Sequence, residues 1–546
     1  MLEINGVYCQ LRELMVETAQ SDTTHRVWVR EDRAYWKSPA ISLGLILALA
    51  MWVRLHDLAR LSLWLDEGIT TCKMRFSLRE LFQYTVVDNV PPLYYLILHA
   101  LGSWIDSDFS LRLPSALIGV ATIPVLYWIG VLLFNRRVAL LASLFLSLST
   151  FHLWFSQEAR SYGIYCFLYA LSLLFLVRWS LNPAGSLGWW LYVAASSLML
   201  YSHSTALIYF GTNSVIFFCL SGWREWGQVR QWLLAQALVV ILFLPWLSSF
   251  HDQSQNYQQS VILGPLHLSA IVETLMVLTS MSPLWGAEAA KLVGSFRGLP
   301  EILMLTWFVG FSGPLASLLI SWKRQFSRGC IVAATIVALP LAVVTLFSLW
   351  FVNIYFDRLF LPSTLGVSLL LAAGTEDIFD FFSMPSAKAL TALVFGSLIV
   401  CQLALSISIY YKLERKEDFR SAAKLLAERY QDNDIAVFVT YSGEALFKWY
   451  QPAAAARMHY TGIPKSFLNP PNQSPGHIIR SSADISALPD SAATSERVWL
   501  VRLRTQYHDP DELTLKWLTR HCRKEEHHQL QGVSVDSFRR CEKGAQ

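Results

Sequence analysis

The feature that most constrains this chain is a series of long apolar stretches separated by short polar connections. A helix that crosses a bilayer needs about 20 predominantly apolar residues, and about eleven stretches approach or exceed that length. They comprise residues 40–56, 112–134, 138–155, 161–179, 188–201, 204–221, 232–250, 301–321, 330–352, 359–374 and 388–411. The pattern predicts a polytopic α-helical membrane protein with about 11 to 13 transmembrane helices.

Composition supports an integral membrane protein. Charged residues make up 15% of the 546-residue chain, whereas soluble domains carry roughly 25%. The 21 Trp and 21 Tyr suit aromatic belts at the two membrane interfaces. A net charge of +4 gives no argument for a nucleic-acid partner, so the expected surroundings are a lipid bilayer.

The distribution of basic residues predicts the orientation. The polar N-terminal tail, residues 1–39, contains five Lys and Arg residues and is therefore expected to be cytoplasmic. The apolar run at residues 91–105 is only about 15 residues long, which favours an interfacial or re-entrant helix over a span. When this run is not counted as a span, the basic connections fall on the cytoplasmic side; they are residues 135–137, 224–230 and 323–328.

This orientation defines three regions of the chain. Residues 40–411 form the transmembrane domain, and residues 57–111 form its first extracytoplasmic loop, with interfacial helices. Residues 412–546 lack another span and alternate helix and strand patterns, which predicts a small extracytoplasmic α/β domain. The eight cysteines show no CxxC or metal-ligand spacing. Cys522 and Cys541 could pair if their domain is extracytoplasmic.

An acidic pair, Asp66 and Glu67, lies in "LSLWLDEGITT" just beyond the first span. Loop acids are usually solvated. Here, however, Trp64 marks the interface, and an apolar helix follows in the same loop. Burial raises the pKa of a carboxylate and a nearby cation lowers it. A partly desolvated carboxylate at this depth can therefore have a pKa suited to a general base for an alcohol.

Further polar groups fall on the same predicted face. Glu158, Arg160 and Tyr162 lie together in the short turn "SQEARSY", which is either an ordinary helix connection or the rim of a pocket. His203 splits a long apolar stretch and is as readily structural as functional. Arg358 could pair with Asp357 or extend to the interface, and it could also hold a phosphate.

Four segments carry a resemblance to a known group of enzymes. "WLDEGIT", "NVPPLYYLIL", "SLRLPSALIGVATIPVLYWIGVLLFNRR" and "SQEARSYG" follow in order over residues 61–179. They resemble the GT-C membrane glycosyltransferases of the protein mannosyltransferase and aminoarabinose transferase superfamily. The segment "DRLFLPS" resembles a later Arg and Pro element of those proteins. The resemblance implies a GT-C fold.

The resemblance also implies an activity: inverting transfer of a hexose or pentose from a polyprenyl-phosphate-linked donor to a hydroxyl acceptor, on the extracytoplasmic face of a bacterial plasma membrane. The acceptor would be a lipid, a polysaccharide or a protein. No cofactor is certain, and a divalent metal ion is one option. Asp66 would be the catalytic base. Glu67 would assist it or help hold a metal or acceptor, and Glu158 would line the acceptor or donor cleft.

The resemblance suggests binding residues as well. Candidates for the donor phosphate or its lipid are Arg160, Arg358, Arg75, Tyr94, Tyr95 and Tyr162, with His203 as a candidate polar cleft residue. Relatives commonly have His or Lys before the first Pro of the "PPLYY" segment, whereas this chain has Val90. One of the arginines would then have to supply that charge.

Two other functions are compatible with a polytopic protein. A transporter or flippase of lipid-linked saccharides should show mid-membrane charges, broken helices or an internal repeat, and none is clear in the sequence. A cell-envelope assembly or sensor protein would act through the C-terminal domain, in which no motif is assignable.

Overall fold

The computed structural model describes residues 39–541 with internal gaps. Those gaps are residues 88–89, 184–185, 222–225, 261–264, 382–384, 413–415 and 465–477, together with most of 280–327. The predicted cytoplasmic tail, the predicted span at 301–321 and most of the Pro-rich loop near residue 470 lie outside the described residues.

The first part of the chain is helical. Its helices are α1 Pro39–Leu55, α2 Leu65–Lys73, α3 Leu78–Val87, α4 Leu93–Ala100, α5 Asp108–Leu133, α6 Arg136–Leu148, α7 Thr150–Ser156, α8 Tyr162–Leu181, α9 Ser186–Leu200, α10 Ala206–Ser221, α11 Trp226–Ser260, α12 Leu268–Leu278, α13 Arg328–Trp350, α14 Ser363–Phe381 and α15 Pro385–Lys412. Among the described residues, four helices are long and apolar enough to cross a membrane: Asp108–Leu133, Tyr162–Leu181, Trp226–Ser249 and Arg328–Trp350. The helix within the predicted interfacial run, α4, has only 8 residues, about 12 Å in length.

The predicted span at 138–155 is two helices rather than one. Helices α6 and α7 meet at a 60° bend, where Ser149 caps α7. The buried guanidinium of Arg54 donates to the carbonyl oxygens of Ser147 and Leu146, at 3.0 and 3.4 Å. These contacts satisfy carbonyl groups that a continuous helix would have paired internally. The turn that contains Glu158 follows directly after α7.

The C-terminal α/β unit, residues 416–541, contains a five-stranded sheet. Its elements are α16 Phe419–Arg429, β1 Asp434–Val439, α17 Tyr441–Tyr450, α18 Pro452–Ala455, β2 His459–Ile463, α19 Ala487–Ala493, β3 Arg497–Leu503, α20 Thr505–His508, α21 Leu513–His521, β4 Arg523–Leu530 and β5 Val533–Arg539. The strand order is β2-β1-β3-β5-β4. The first three strands are parallel, and β5 and β4 are antiparallel to their neighbours.

The two faces of this sheet have different cores. Ala436 and Phe438 of β1 belong to the same buried cluster as the membrane-region helices. Val437 and Val439, which point the other way, pack in a smaller cluster with Leu518 of α21. Because side chains alternate along a strand, one face of the sheet continues the large core and the other is closed within the unit.

Helix α17 approaches α2 closely at Gly68. A Cβ atom placed on Gly68 would lie 2.7 Å from Leu446 Cγ and 3.1 Å from the carbonyl oxygen of Ser442. Both of these atoms belong to α17, so glycine permits the contact. The C-terminal α/β unit therefore lies directly against the helix that carries the acidic pair.

The same unit also converges on Asp108, the first residue of α5. The Asp108 carboxylate accepts hydrogen bonds from Arg420 at 2.6 Å, from Tyr450 at 2.8 Å and from the Trp449 indole at 2.8 Å. An acidic residue in the first turn of a helix is also favoured by the helix dipole. These contacts fix the unit on the membrane-region helices.

A disulfide joins Cys522 and Cys541, on either side of the β4–β5 hairpin. Replacing Cys522 with Ser should cost the hairpin about 3 kcal/mol, the entropy of closing a loop 19 residues long. Hydrogen exchange at β5 should accelerate accordingly, and a reducing agent should reproduce the effect in the wild type. Cys401→Ser, at an exposed free cysteine, is the control and should leave β5 unchanged. Unchanged exchange in Cys522→Ser would contradict the prediction.

Candidate functional site

The two adjacent acids of α2 have different environments. Successive residues of an α-helix point about 100° apart. The Glu67 side chain is 0% exposed, whereas that of Asp66 is 22% exposed. One acid therefore points into the protein, while the other keeps access to solvent or substrate.

Glu67 is held by several hydrogen-bond donors. Arg112 makes a bidentate pair with it, at 2.8 Å to Oε1 and 2.7 Å to Oε2. Lys416 lies 2.9 Å from Oε2, and the Ala159 N–H donates to Oε1 at 3.0 Å. Burial alone would raise the pKa of Glu67, but Arg112 and Lys416 outweigh it and hold that pKa well below its usual range. Glu67 is a buried, paired carboxylate that links four segments of the chain.

Glu158 is also buried, but it is less completely paired. Its Oε1 accepts from the Trp154 indole at 2.6 Å and lies 3.7 Å from Lys416 Nζ. Its Oε2 is buried without a hydrogen-bond partner among the described residues. Burial raises the pKa of the Glu158 carboxyl; Lys416 opposes this rise, while Glu67 adds to it. This second oxygen keeps unused capacity to accept a hydrogen bond.

Arg160 lies beside Asp66. Its Nη2 is 3.8 Å from Asp66 Oδ2, and its Nη1 donates to the Asp66 carbonyl oxygen at 3.3 Å and to the Tyr95 hydroxyl at 3.0 Å. The turn between α7 and α8 thus places a cation next to the accessible carboxylate. That arrangement brings together residues 66 and 160, which are far apart in the sequence.

Arg358 and His203 reach the same cluster through Tyr162. The guanidinium carbon of Arg358 lies 5.9 Å from the centre of the Tyr162 ring. The His203 ring packs against the Tyr162 ring at a tilt, with 5.2 Å between ring centres. Burial, together with the nearby charges of Arg358 and Arg160, lowers the pKa of His203 to about 3. His203 is therefore neutral near pH 7, and its Nδ1 accepts a hydrogen bond from the Thr205 hydroxyl at 2.8 Å.

Most of the residues singled out in the sequence form one group, which we call the polar site. Its members are Asp66, Glu67, Tyr95, Glu158, Arg160, Tyr162, His203 and Arg358. Tyr94 is buried next to Tyr95, and its hydroxyl lies 2.8 Å from the Ser115 hydroxyl of α5. Arg75 is exposed and packs over the Trp449 ring at 5.0 Å, in a groove against the C-terminal α/β unit. Its predicted contact with the donor phosphate stays a prediction.

Sequence reasoning missed three cations that contact residues of the polar site: Arg112, Lys416 and Lys73. Arg112 stands at the start of a predicted span, and Lys416 lies in a charged run after the last one, where cations are ordinary. Lys73 packs over the Tyr95 ring at 4.5 Å. No local pattern distinguishes these residues from solvated ones, because their partners are distant in the sequence.

The described residues contain no group of three or more His, Cys, Asp and Glu side chains suited to hold a metal ion. Within the polar site, the carboxylates have Arg and Lys as their charged neighbours. Protein cations thus balance the charge of these carboxylates.

Comparison with known proteins gives a family match in the membrane region. Residues 89–248 match the model of the dolichyl-phosphate-mannose-protein mannosyltransferase family. This segment includes the Tyr94–Tyr95 pair and the turn with Glu158 and Arg160. No curated protein sequence matches the chain.

Solved structures share the fold over most of the chain. ArnT from Cupriavidus metallidurans is 12% identical, with a TM-score of 0.59 over 91% of this chain and 97% of that one. The oligosaccharyltransferase of Archaeoglobus fulgidus is 12% identical, with a TM-score of 0.52 over 87% of this chain and 70% of that one. The fold and the family match together confirm the resemblance to the GT-C membrane glycosyltransferases that the sequence segments indicated.

Proposed function

We propose that this protein is an inverting glycosyltransferase that moves a sugar from a polyprenyl-phosphate-linked donor to a hydroxyl acceptor on the extracytoplasmic side of the membrane. The observation that carries the proposal is the environment of Asp66. It is the accessible member of an acidic pair, with Arg160 3.8 Å away, in a site whose other carboxylates are buried. A general base must be reachable by the acceptor that it deprotonates.

The cations of the polar site support a phosphate-bearing donor. Arg160 and Arg358 both lie on the Tyr162 side of the polar site. Arginine suits phosphate recognition because its guanidinium group is planar and permanently charged. Two structures of the same fold are described with such lipids: ArnT bound to undecaprenyl phosphate, and the Archaeoglobus enzyme with a dolichol-phosphate and an inhibitory peptide. The buried Tyr95 hydroxyl fixes Arg160 in place.

The chemistry follows from these positions. Asp66 accepts the proton of the acceptor hydroxyl as that oxygen bonds to the anomeric carbon of the donor sugar. The bond between the anomeric carbon and the phosphate oxygen breaks, its electron pair stays on the phosphate, and Arg160 and Arg358 stabilise the added charge. Attack opposite the leaving group inverts the anomeric centre. The products are the glycosylated acceptor and the polyprenyl phosphate.

Two arguments support an extracytoplasmic site. The basic connections place the loop that carries Asp66 opposite the cytoplasm. The Cys522–Cys541 disulfide also suits an oxidising compartment. The transferred sugar, a hexose or a pentose, and the lipid, polysaccharide or protein acceptor would be set by the shape of the cleft around the polar site.

Replacing Asp66 with Asn should abolish transfer, by at least a hundredfold, because the amide cannot accept the proton of the acceptor hydroxyl. The measurement is transfer from a panel of radiolabelled polyprenyl-phosphate sugars to native membrane acceptors, with purified protein in nanodiscs. The thermal midpoint should change little, since Asp66 is partly exposed.

The matched control is Asp57→Asn. Asp57 lies in the turn directly after α1, its side chain is 43% exposed, and its contacts to His56 and Arg60 exceed 3.6 Å. Its backbone φ of 52° is one that asparagine adopts readily. This variant should transfer at the wild-type rate. Equal transfer by wild type and Asp66→Asn would remove Asp66 from the mechanism, and no transfer by the wild type from any donor would favour a transporter instead.

The neighbouring change Glu67→Gln should act mainly on stability. It leaves Arg112 and Lys416 buried beside a neutral amide, and breaking a buried ion pair in this way costs about 3–5 kcal/mol. We expect a clearly lower thermal midpoint than for Asp66→Asn, measured on the same nanodisc preparations. If Glu67→Gln unfolded like the wild type, the buried network would not contribute to the fold as described.

Donor binding should depend on Arg358. Arg358→Gln should weaken the binding of undecaprenyl phosphate by about tenfold, the loss of one charge-assisted contact. Binding can be measured by titration of the lipid into nanodiscs at low ionic strength, with Arg457→Gln, at an exposed arginine of the C-terminal α/β unit, as the control. Equal affinity in both variants would exclude Arg358 from the phosphate site.

A further inference from the structure

Lys416 belongs to the segment that enters the C-terminal α/β unit, yet its ammonium group lies among the carboxylates of the polar site. Its Nζ is 2.9 Å from Glu67 Oε2 and 3.7 Å from Glu158 Oε1, and its side chain is 9% exposed. A buried ammonium in contact with two carboxylates compensates the charge of both.

The two carboxylates depend on Lys416 to different degrees. Glu67 also has the bidentate Arg112 and the Ala159 N–H. For Glu158, Lys416 is its one ion-pair partner within the described parts of the chain. Two buried carboxylates that share a site disfavour each other's charged form, so the cation between them matters most to the one with fewer other partners.

The position of Lys416 is set by docking of the C-terminal α/β unit. Four residues later, Arg420 pairs with Asp108, and its N–H donates to the Ser62 hydroxyl at 3.1 Å. Glu417, the next residue after Lys416, pairs with Arg504 at the end of β3. The backbone around Lys416 is therefore held both by the membrane-region helices and by the sheet.

We propose that Lys416 is a positioning residue of the polar site: it holds the Glu158 carboxylate in its charged form beside Asp66 and Arg160, and so makes the docked C-terminal α/β unit part of the site. The effect on transfer rests on the proposed transferase function. The link between Lys416 and Glu158 rests on the geometry alone.

The test is the pH dependence of transfer in Lys416→Met. The charged and titratable groups that act on Glu158 are Lys416, Glu67, Asp66, Tyr94 and Tyr162. Burial already raises the pKa of Glu158, and Lys416 counteracts that rise. Removal of the lysine should raise this pKa further, so a higher pH is needed to ionise Glu158. The transfer rate should fall as the pH drops through the pKa of Glu158, and this part of the profile is its acidic limb. In Lys416→Met the acidic limb should lie about one pH unit or more higher, so the rate at a given pH on the limb should be about tenfold lower.

Three further variants separate positioning from a purely structural role. Lys416→Arg keeps the charge and should restore the wild-type limb. Arg420→Met removes a cation of the same interface that contacts Asp108 instead of Glu158, so it should lower the thermal midpoint without moving the limb. Glu158→Gln should abolish the limb that Glu158 contributes. A lower rate in Lys416→Met with an unshifted profile would overturn the proposal.

A stability measurement separates the failure of this inference from failure of the proposed function. Thermal midpoints of Lys416→Met, Glu158→Gln and the double variant form a mutant cycle. If the double variant is less destabilised than the sum of the single variants, the link between Lys416 and Glu158 is supported. A lack of sugar transfer by every variant and by the wild type would overturn the transferase proposal alone. Additive shifts would overturn the link whether or not the wild type is active.

Discussion

The buried carboxylate of Glu67 is the interaction on which the arrangement of the site depends. It joins α2 to Arg112 of α5, to the backbone of the turn after α7 and to Lys416 at the entry of the C-terminal α/β unit. Burying charges in a protein is costly unless they are paired and hydrogen-bonded. Here each carboxylate oxygen has more than one donor, so four separate segments are held at one point.

That network explains how neighbouring acids can differ in role. Because Glu67 fixes the rotation of α2, Asp66 is turned toward Arg160 and keeps part of its surface accessible. The same turn that supplies the Ala159 N–H to Glu67 also carries Glu158 and Arg160. A single short connection therefore stabilises the inner acid and completes the environment of the outer one.

Much of this organisation could be predicted from the sequence, since apolar length and alternating patterns are local signals. Most of the predicted spans in the described regions correspond to helices. Asp66, Glu158 and Arg160, which the sequence analysis assigned to the same side of the membrane, lie close together. The bend between α6 and α7 was not predicted, although Ser149 is a residue type that caps helices, and Arg54 on another helix donates to a carbonyl group at the bend. Arg112 and Lys416 pair with Glu67 across 45 and 349 residues, so these contacts exist only in the folded chain.

The change in composition near residue 412 looks like a domain boundary, but the sheet beyond it is not closed on both sides. The face formed by Ala436 and Phe438 shares its buried cluster with the membrane-region helices. A chain shortened at this point would expose that cluster to water and deprive Asp108 of three donors. The two parts thus share one buried core, and either part alone would leave apolar surface uncovered.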